Sequence, residues 1–362
     1  MARFEGVEWA PAQMRYGLND KTFELLEANA KVYAVSKSIF YAMILCFEGI
    51  RFFCRRTAGG RLEIRLLNWH KNLERFLRSI AFNLSKTQQV LVPTVEELEN
   101  VFINLYFKDP AIKPFLEKMA DDGAQGYLRP FTLDEEQSMG VTFPGQPAIR
   151  AIFSRYSNYL GEPFTGVVIH HLVRAMSCNK TGWLKLGVNY LISLKAVEAA
   201  SEIEPGAAAA LFLDDKVHIP LEQRCITEWD SSCCLFGLRD GTVIKIPESD
   251  LILPSVTIQG MAIILGQMGV KVEERNMTYG ELLSRVRSGE LVVAASIGTA
   301  GIMNRCQKLV CVDANNQVTA VHVPDTEHEI YKKLGEVKTY YWEIYKGNVP
   351  VPPGMNLYIY SI

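Results

Sequence analysis

The chain has 362 residues, 48% hydrophobic and 22% charged, the composition of an ordinary globular protein and too long for one small core. Two domains, or one large α/β domain with a smaller companion, are expected. A net charge of -2 gives no electrostatic reason to bind nucleic acid or an anionic membrane.

Eight cysteines lie without metal-type spacing: Cys233 and Cys234 are adjacent, and Cys306 and Cys311 stand too far apart for a CxxC pair. No metal site is expected, and reduced thiols in a cytoplasmic protein are the simplest account. Met1-Ala-Arg-Phe-Glu-Gly6 has no apolar run ahead of a cleavage site, so secretion is not expected. The apolar run from Ile39 to Cys46 is too short to span a bilayer and reads as a buried strand.

Residues up to about 30 read as an irregular approach. Apolar and aromatic residues from Lys31 to Phe53, then Ala58-Gly-Gly-Arg61 and Leu62-Glu-Ile-Arg-Leu-Leu67, predict a hairpin around the Gly-Gly turn. A helix is expected from about 68 to 84, with Leu73, Phe76, Leu77 and Ile80 inward and Arg75 among its charges. Thr94-Val-Glu-Glu97 is a capping box for a helix to about 107, and a further helical turn should cover 113 to 119. Gln125-Gly-Tyr-Leu-Arg-Pro130 reads as a strand ended by proline, which holds Arg129 extended, and 148 to 156 as another strand. Loop composition around Tyr159-Leu-Gly-Glu-Pro163 marks the domain boundary, giving a smaller domain over 1–162 and a larger one over 163–362.

Gly166-Val-Val-Ile169 opens the second part as a strand; His170 and His171, without a second ligand pair at metal spacing, read as structural. Lys185 sits two residues before Gly187, ahead of a helical pattern opening at Asn189. A lysine packed at such a junction can be desolvated while its amine faces a cleft, and a neutral amine attacks carbonyls to give a Schiff base; alone, a solvated surface lysine is the commoner case. Ala207 to Leu213 reads as a strand. Arg224-Cys-Ile-Thr-Glu228 and Cys233-Cys-Leu-Phe-Gly-Leu238 read as paired strands, the second turning through Arg239-Asp-Gly-Thr242 into another. Leu253-Pro-Ser-Val-Thr257 precedes a helix from 258 to 268, whose opening N–H groups and Thr257 hydroxyl suit a phosphate. After a strand at 270 to 274, Thr278-Tyr-Gly-Glu281 caps another helix, Leu291 to Ile297 is a buried strand leading into Gly298-Thr-Ala-Gly301, and an amphipathic helix covers about 325 to 345.

Taken in order, Phe47-Glu-Gly-Ile-Arg51, Asn72-Leu-Glu-Arg75, Tyr127-Leu-Arg-Pro130, Lys185-Leu-Gly-Val-Asn-Tyr190, Thr227-Glu228, Leu253-Pro-Ser-Val-Thr257 and Gly298-Thr-Ala300 resemble the class IV, D-amino-acid-aminotransferase-like pyridoxal-phosphate enzymes, the branched-chain amino acid aminotransferases most of all. The resemblance implies an α+β or α/β two-domain fold, with a smaller N-terminal α/β domain and a larger C-terminal domain built on a barrel-like sheet. It implies pyridoxal 5'-phosphate held on Lys185 as a Schiff base, and Glu228 bonded to the pyridine nitrogen. Arg75, Tyr190, Val256, Thr257 and Thr299 would hold the phosphate. Tyr41, Phe47, Tyr127, Arg129 and Ala300 would line the substrate pocket, Arg129 facing a carboxylate of the amino donor. A homodimer with its active site near the subunit interface is also implied.

The chain departs from the family in three places: Cys233 and Cys234 stand where an asparagine is usual, Ser255 replaces a glycine, and Ile258 replaces an arginine. The interval from Lys185 to Glu228 is long, which keeps Glu222 open as a substitute. The expected function is amino transfer between a hydrophobic, branched-chain-like amino acid and a 2-oxo acid. Lyase or cyclase chemistry with the same cofactor, and a non-catalytic homologue, stand as alternatives.

Overall fold

The computed structural model describes the chain except residues 1, 2, 33–35, 37, 39–44, 157, 161 and 162, and except the side chains of Arg3, Phe4 and residues 158–160. Tyr41 and most of the expected strand from Ile39 lie outside the described residues.

In chain order the first strands are β1 (Arg3–Glu5), β2 (Glu8–Trp9), β3 (Ala12–Gly17), β4 (Phe23–Glu27), β5 (Ile50–Arg56), β6 (Leu62–Leu67), β7 (Gln125–Asp134), β8 (Pro147–Tyr156) and β9 (Asn158–Leu160). They are followed by β10 (Phe164–Ile169), β11 (Ala209–Leu213), β12 (Ile226–Trp229), β13 (Cys233–Leu238), β14 (Val243–Lys245) and β15 (Val272–Glu274). The last are β16 (Leu291–Gly298), β17 (Ile302–Val312), β18 (Val318–His322) and β19 (Leu357–Ser361). The helices are α1 (Trp69–Phe82), α2 (Val95–Asn100), α3 (Lys113–Asp121), α4 (Gly187–Ile203), α5 (Val256–Gln267), α6 (Tyr279–Ser288) and α7 (Glu329–Lys346).

Two sheets organise these elements. One runs β19-β6-β5-β7-β8-β3-β4, with β2 also on β8; the other runs β12-β11-β10-β17-β16-β13-β14-β15, with β18 on β17. Each has its own apolar core. The first is packed around Phe52, Phe76, Phe102, Phe107 and Phe153, the second around Trp229, Phe236, Ile264, Val293 and Leu334. The last strand crosses back: β19 pairs antiparallel with β6, so the chain's C-terminal end lies in the sheet begun by its N-terminal half.

Local chemistry sets the helix ends. Thr94 Oγ1 accepts from Glu97 N at 3.1 Å and opens α2, which passes into a π-helical stretch over Val101–Phe107. Thr278 caps α6 in the same way, and Gly289 closes it at φ 74°, a left-handed position that costs glycine little. On α1, residues 69, 72, 73, 75, 76, 79 and 80 are buried, so Arg75 belongs to the inward face rather than to the solvated charges.

Three expectations need correction. The approach before residue 30 is not irregular: Ala12-Gln-Met-Arg-Tyr-Gly17 and Phe23-Glu-Leu-Leu-Glu27 form a hairpin, with Met14 and Tyr16 buried. Pro130 does not end its strand; β7 continues to Asp134, because this position needs no amide donor toward β8. The strands holding Glu228 and Cys233 do not pair with each other. Instead β12 pairs with β11 and β13 with β14 and β16, which aims Glu228 at the crevice between the two sheets.

Candidate active site

Lys185 lies just before α4, and its Nζ donates to Tyr190 Oη at 2.7 Å. Tyr190 is one helical turn into α4, so a single turn of helix places both groups on the same side. Nζ also sits 5.1 Å from the Phe47 ring centroid and 5.2 Å from that of Tyr190, and the two rings meet edge to face at 4.9 Å. Cys46 bridges Leu186, and Phe47 N donates to Lys185 O at 3.1 Å, so the segment leading into β5 is tied to the lysine's own backbone.

From this lysine two recesses open. A cleft of about 230 Å³ is bounded by Phe47, Tyr127, Arg129, Thr299 and Ala300, with Lys185 and Tyr190 at its base. A smaller recess of about 40 Å³ runs from the same Lys185 and Tyr190 to Arg75, Arg174, Glu228 and Ser255.

Charges are concentrated in the smaller recess. Arg75 holds Glu48 with two bonds, Nε to Oε2 at 2.7 Å and Nη2 to Oε1 at 2.5 Å, while its Nη1 donates to Pro254 O at 2.5 Å. Both side chains are buried, and although burial opposes it, the Arg75 charge keeps the Glu48 carboxyl below its ordinary range. Glu228 forms an ion pair with Arg174 and accepts from Leu253 N at 3.4 Å. Here burial outweighs the arginine, and the carboxyl is pushed up to about 7. Arg174 also donates to Gly182 O and Leu251 O at 3.1 and 3.2 Å, and its buried Nε has no acceptor among the described residues.

The start of α5 forms one wall. Ser255 is its N-cap, with Oγ accepting from Ile258 N at 3.3 Å, so the residue standing where glycine is usual supplies the cap. The N–H groups of Val256 and Thr257, in the first turn, have no acceptor within the helix. The Thr257 side chain is hydrogen-bonded to Tyr341 of α7. Ile258, the replacement for an arginine, is 2% exposed and packs in the second core. Cys233 Sγ donates to Leu253 O at 3.5 Å and lines the recess beside Glu228.

In the larger cleft, Arg129 Nη1 donates to Glu48 O at 2.9 Å and Nη2 to Tyr127 Oη at 3.1 Å, with its guanidinium over the Phe47 and Tyr127 rings. A Cβ on Gly49 would stand 2.0 Å from Tyr127 Oη, so only glycine lets that ring lie where it does. Arg51 reaches across to the far wall, where Nη2 and Nε donate to Thr299 O at 2.6 and 3.0 Å and Nη2 also to Ala300 O.

Thus Lys185, Tyr190, Arg75, Glu228 and Thr299 line one recess, and Phe47, Tyr127, Arg129 and Ala300 the adjoining cleft; Val256 and Thr257 line neither, and follow the wall residue Ser255 in the first turn of α5. Glu222 is exposed on the short turn Leu221–Gln223 and is not part of the site. Sequence reasoning assigns no role to Glu48, Arg51 or Arg174. Glu48 and Arg51 stand in plain view beside Phe47, but Arg174 is 54 positions from the glutamate it meets and no spacing announces it.

No family model matches the chain. It is similar to a branched-chain-amino-acid aminotransferase of Helicobacter pylori, 26% identical over 333 residues, covering 85% of this chain and 88% of that one. In three dimensions it superposes on the branched-chain aminotransferase of Thermoproteus uzoniensis crystallised with norvaline, with a TM-score of 0.64 at 20% identity, covering 93% of this chain and 95% of that one. The fold is that of the class IV, branched-chain-type aminotransferases. The branched-chain amino acid aminotransferase of Thermobaculum terrenum in its PLP-bound form gives a TM-score of 0.64 at 18% identity, over 94% of this chain and 96% of that one. Against this class IV fold, the crevice that holds Lys185 lies between two sheets whose residues come from every part of the chain.

Proposed function

We propose that the protein is a pyridoxal-phosphate-dependent aminotransferase, moving an amino group between a branched-chain-like amino acid and a 2-oxo acid. The observation that carries this reading is Lys185 Nζ at the junction of two recesses, one charged and one shaped for a substrate. The donor set fits the cofactor: an Arg174 N–H with no acceptor among the described residues, the first-turn N–H groups of α5 left without an acceptor within the helix, and the Arg75 guanidinium suit an anionic, hydrogen-bonding ligand.

Pyridoxal phosphate, when bound, supplies an electron-accepting ring that acidifies the Cα–H of an amino acid. Arg75, Tyr190, Thr299 and the backbone at Val256 and Thr257 would hold its phosphate, with Glu228 at the ring nitrogen. Lys185 would hold the cofactor through Nζ and then move the Cα proton with that same amine. Arg174, paired with Glu228, orients the carboxylate. Phe47, Tyr127, Arg129 and Ala300 bound the space for the amino acid. Residues 1–162 and 163–362 are read as the two domains, with the last strand returned to the first. A cytoplasmic homodimer is part of this reading, and the exposed apolar Val188, Leu191 and Leu194 on α4 offer a surface for a second copy. Among the described residues no helix is long and apolar enough to cross a membrane.

The test is direct. Protein mixed with pyridoxal phosphate and reduced with borohydride should carry the cofactor's mass on Lys185. Alternating L-leucine and 2-oxoglutarate should then change and restore the cofactor's absorbance. A peptide map with Lys185 unmodified, or a bound cofactor indifferent to every amino acid, would refute the reading.

A further inference from the structure

The larger cleft is not lined by apolar side chains alone. Beside Phe47, Tyr127, Arg129 and Ala300, Ser296 and Asn304 line this cleft alone, and Ser231 and Ser232 line it together with the smaller recess. Ser296 and Asn304 face each other across β16 and β17, so both side chains lie on one face, and Gly298, two residues on, continues that face along the cleft. Ser232 Oγ and Ser296 Oγ are 2.6 Å apart. One hydroxyl donates to the other, which leaves the pair one hydrogen and several lone pairs for a further partner.

Asn304 is the decisive residue. It is 7% exposed, it lines the cleft, and among the described residues its side chain has no hydrogen-bond partner. Buried amides are normally satisfied, and ligand pockets for aliphatic groups are normally lined by apolar side chains. A buried carboxamide left open toward a cleft, beside a hydroxyl pair, is a site for a group that both donates and accepts. The cluster is uncharged, so it suits an amide or hydroxyl rather than a second carboxylate. The nearby guanidinium of Arg129 is already engaged by Glu48 O and Tyr127 Oη.

We infer that the cleft takes uncharged polar isosteres of the branched-chain amino acids, amide- or hydroxyl-ended side chains of leucine or valine shape, bound through Asn304, Ser296 and Ser232. This rests on the aminotransferase reading and narrows its substrate class. Apolar pockets discriminate weakly against an added hydroxyl, whereas sites built to hydrogen-bond a side chain reject the analogue lacking it.

The experiment uses full-length protein loaded with pyridoxal phosphate, following cofactor absorbance in the half-reaction with two isosteric pairs, L-asparagine against L-leucine and L-threonine against L-valine. The expected result is a kcat/KM for asparagine at least equal to that for leucine. Asn304→Leu should lower the asparagine-to-leucine ratio at least tenfold, and Ser296→Ala, a smaller change that keeps the fold safe, should lower it in the same direction. A wild-type preference for leucine of a hundredfold or more, or a ratio that neither variant moves, overturns the inference while leaving the aminotransferase intact. Failure to label Lys185 with borohydride would instead overturn the underlying reading, and this inference with it.

Discussion

Replacing Glu48 with glutamine should weaken the fold and strengthen phosphate binding at once. Glu48 is fully buried, and its two bonds to Arg75, at 2.5 and 2.7 Å, are the principal compensation for a guanidinium that is itself 5% exposed. At a separation near 4 Å and an effective dielectric of about 20, the lost attraction is about 4 kcal/mol. Removing one partner of a buried pair costs about 3–5 kcal/mol by the same logic, since the remaining charge keeps its burial penalty. The assay is urea denaturation of the cofactor-free Glu48→Gln protein with and without inorganic phosphate. The loss should be about 4 kcal/mol without phosphate and should shrink as phosphate is added, because an anion can replace the carboxylate beside Arg75. A loss under about 1 kcal/mol would show that the pair is not worth what its burial implies. Equal phosphate responses in the two proteins would show that Arg75 does not face the anion.

Other outcomes follow from the same geometry. Lys185→Ala should abolish turnover and borohydride labelling while retaining weakened cofactor binding, measured by equilibrium dialysis; retained turnover would remove Lys185 from the chemistry. Burial pushes the Glu228 carboxyl up to about 7 from an ordinary 4.5, so the folded state should bind the extra proton between those values. Its contribution to stability is therefore present below about 4.5 and lost as pH rises through 7, on the order of 3 kcal/mol. Comparing denaturation of wild type with Glu228→Gln isolates this contribution from Asp230, pushed up to about 6, and His322, pushed down to about 4. A stability difference that does not change across that window would contradict the assignment. Gly49→Ala should displace the Tyr127 ring and lower kcat/KM by about tenfold or more, with thermal stability little changed, because the clash is with a side chain at the cleft rather than with the core.

Much of this was legible from residue types and order. The capping box at Thr94 and the hydroxyl cap at Thr278 announce helix starts because side chains satisfy backbone groups within four residues, which is local information. Lys185, Tyr190 and the α5 opening could be found in the same way. The ion pairs could not. Arg174 meets Glu228, and Arg75 meets Glu48, only because separate strands and helices converge, and ionisable groups carry no mark of the partner they will find. The inward turn of Arg75 is half-visible, since it shares a helical face with Leu73 and Phe76. The hairpin before residue 30 and the return of β19 were hidden for a different reason. Short strands with mixed polarity take their structure from sheet neighbours far off in sequence, β8 for the hairpin strand β3 and β6 for β19.

Arg51 gives the site a mechanical property. Rooted in β5, it grips the carbonyls of Thr299 and Ala300 from the opposite sheet, while its guanidinium lies 4.6 Å from the Trp342 ring centroid on α7. Prying the two halves of the molecule apart would therefore take the pocket's far wall with it. A ligand seated against that wall would act as a clasp on the whole chain, so cofactor and substrate should raise the unfolding temperature of both sheets together.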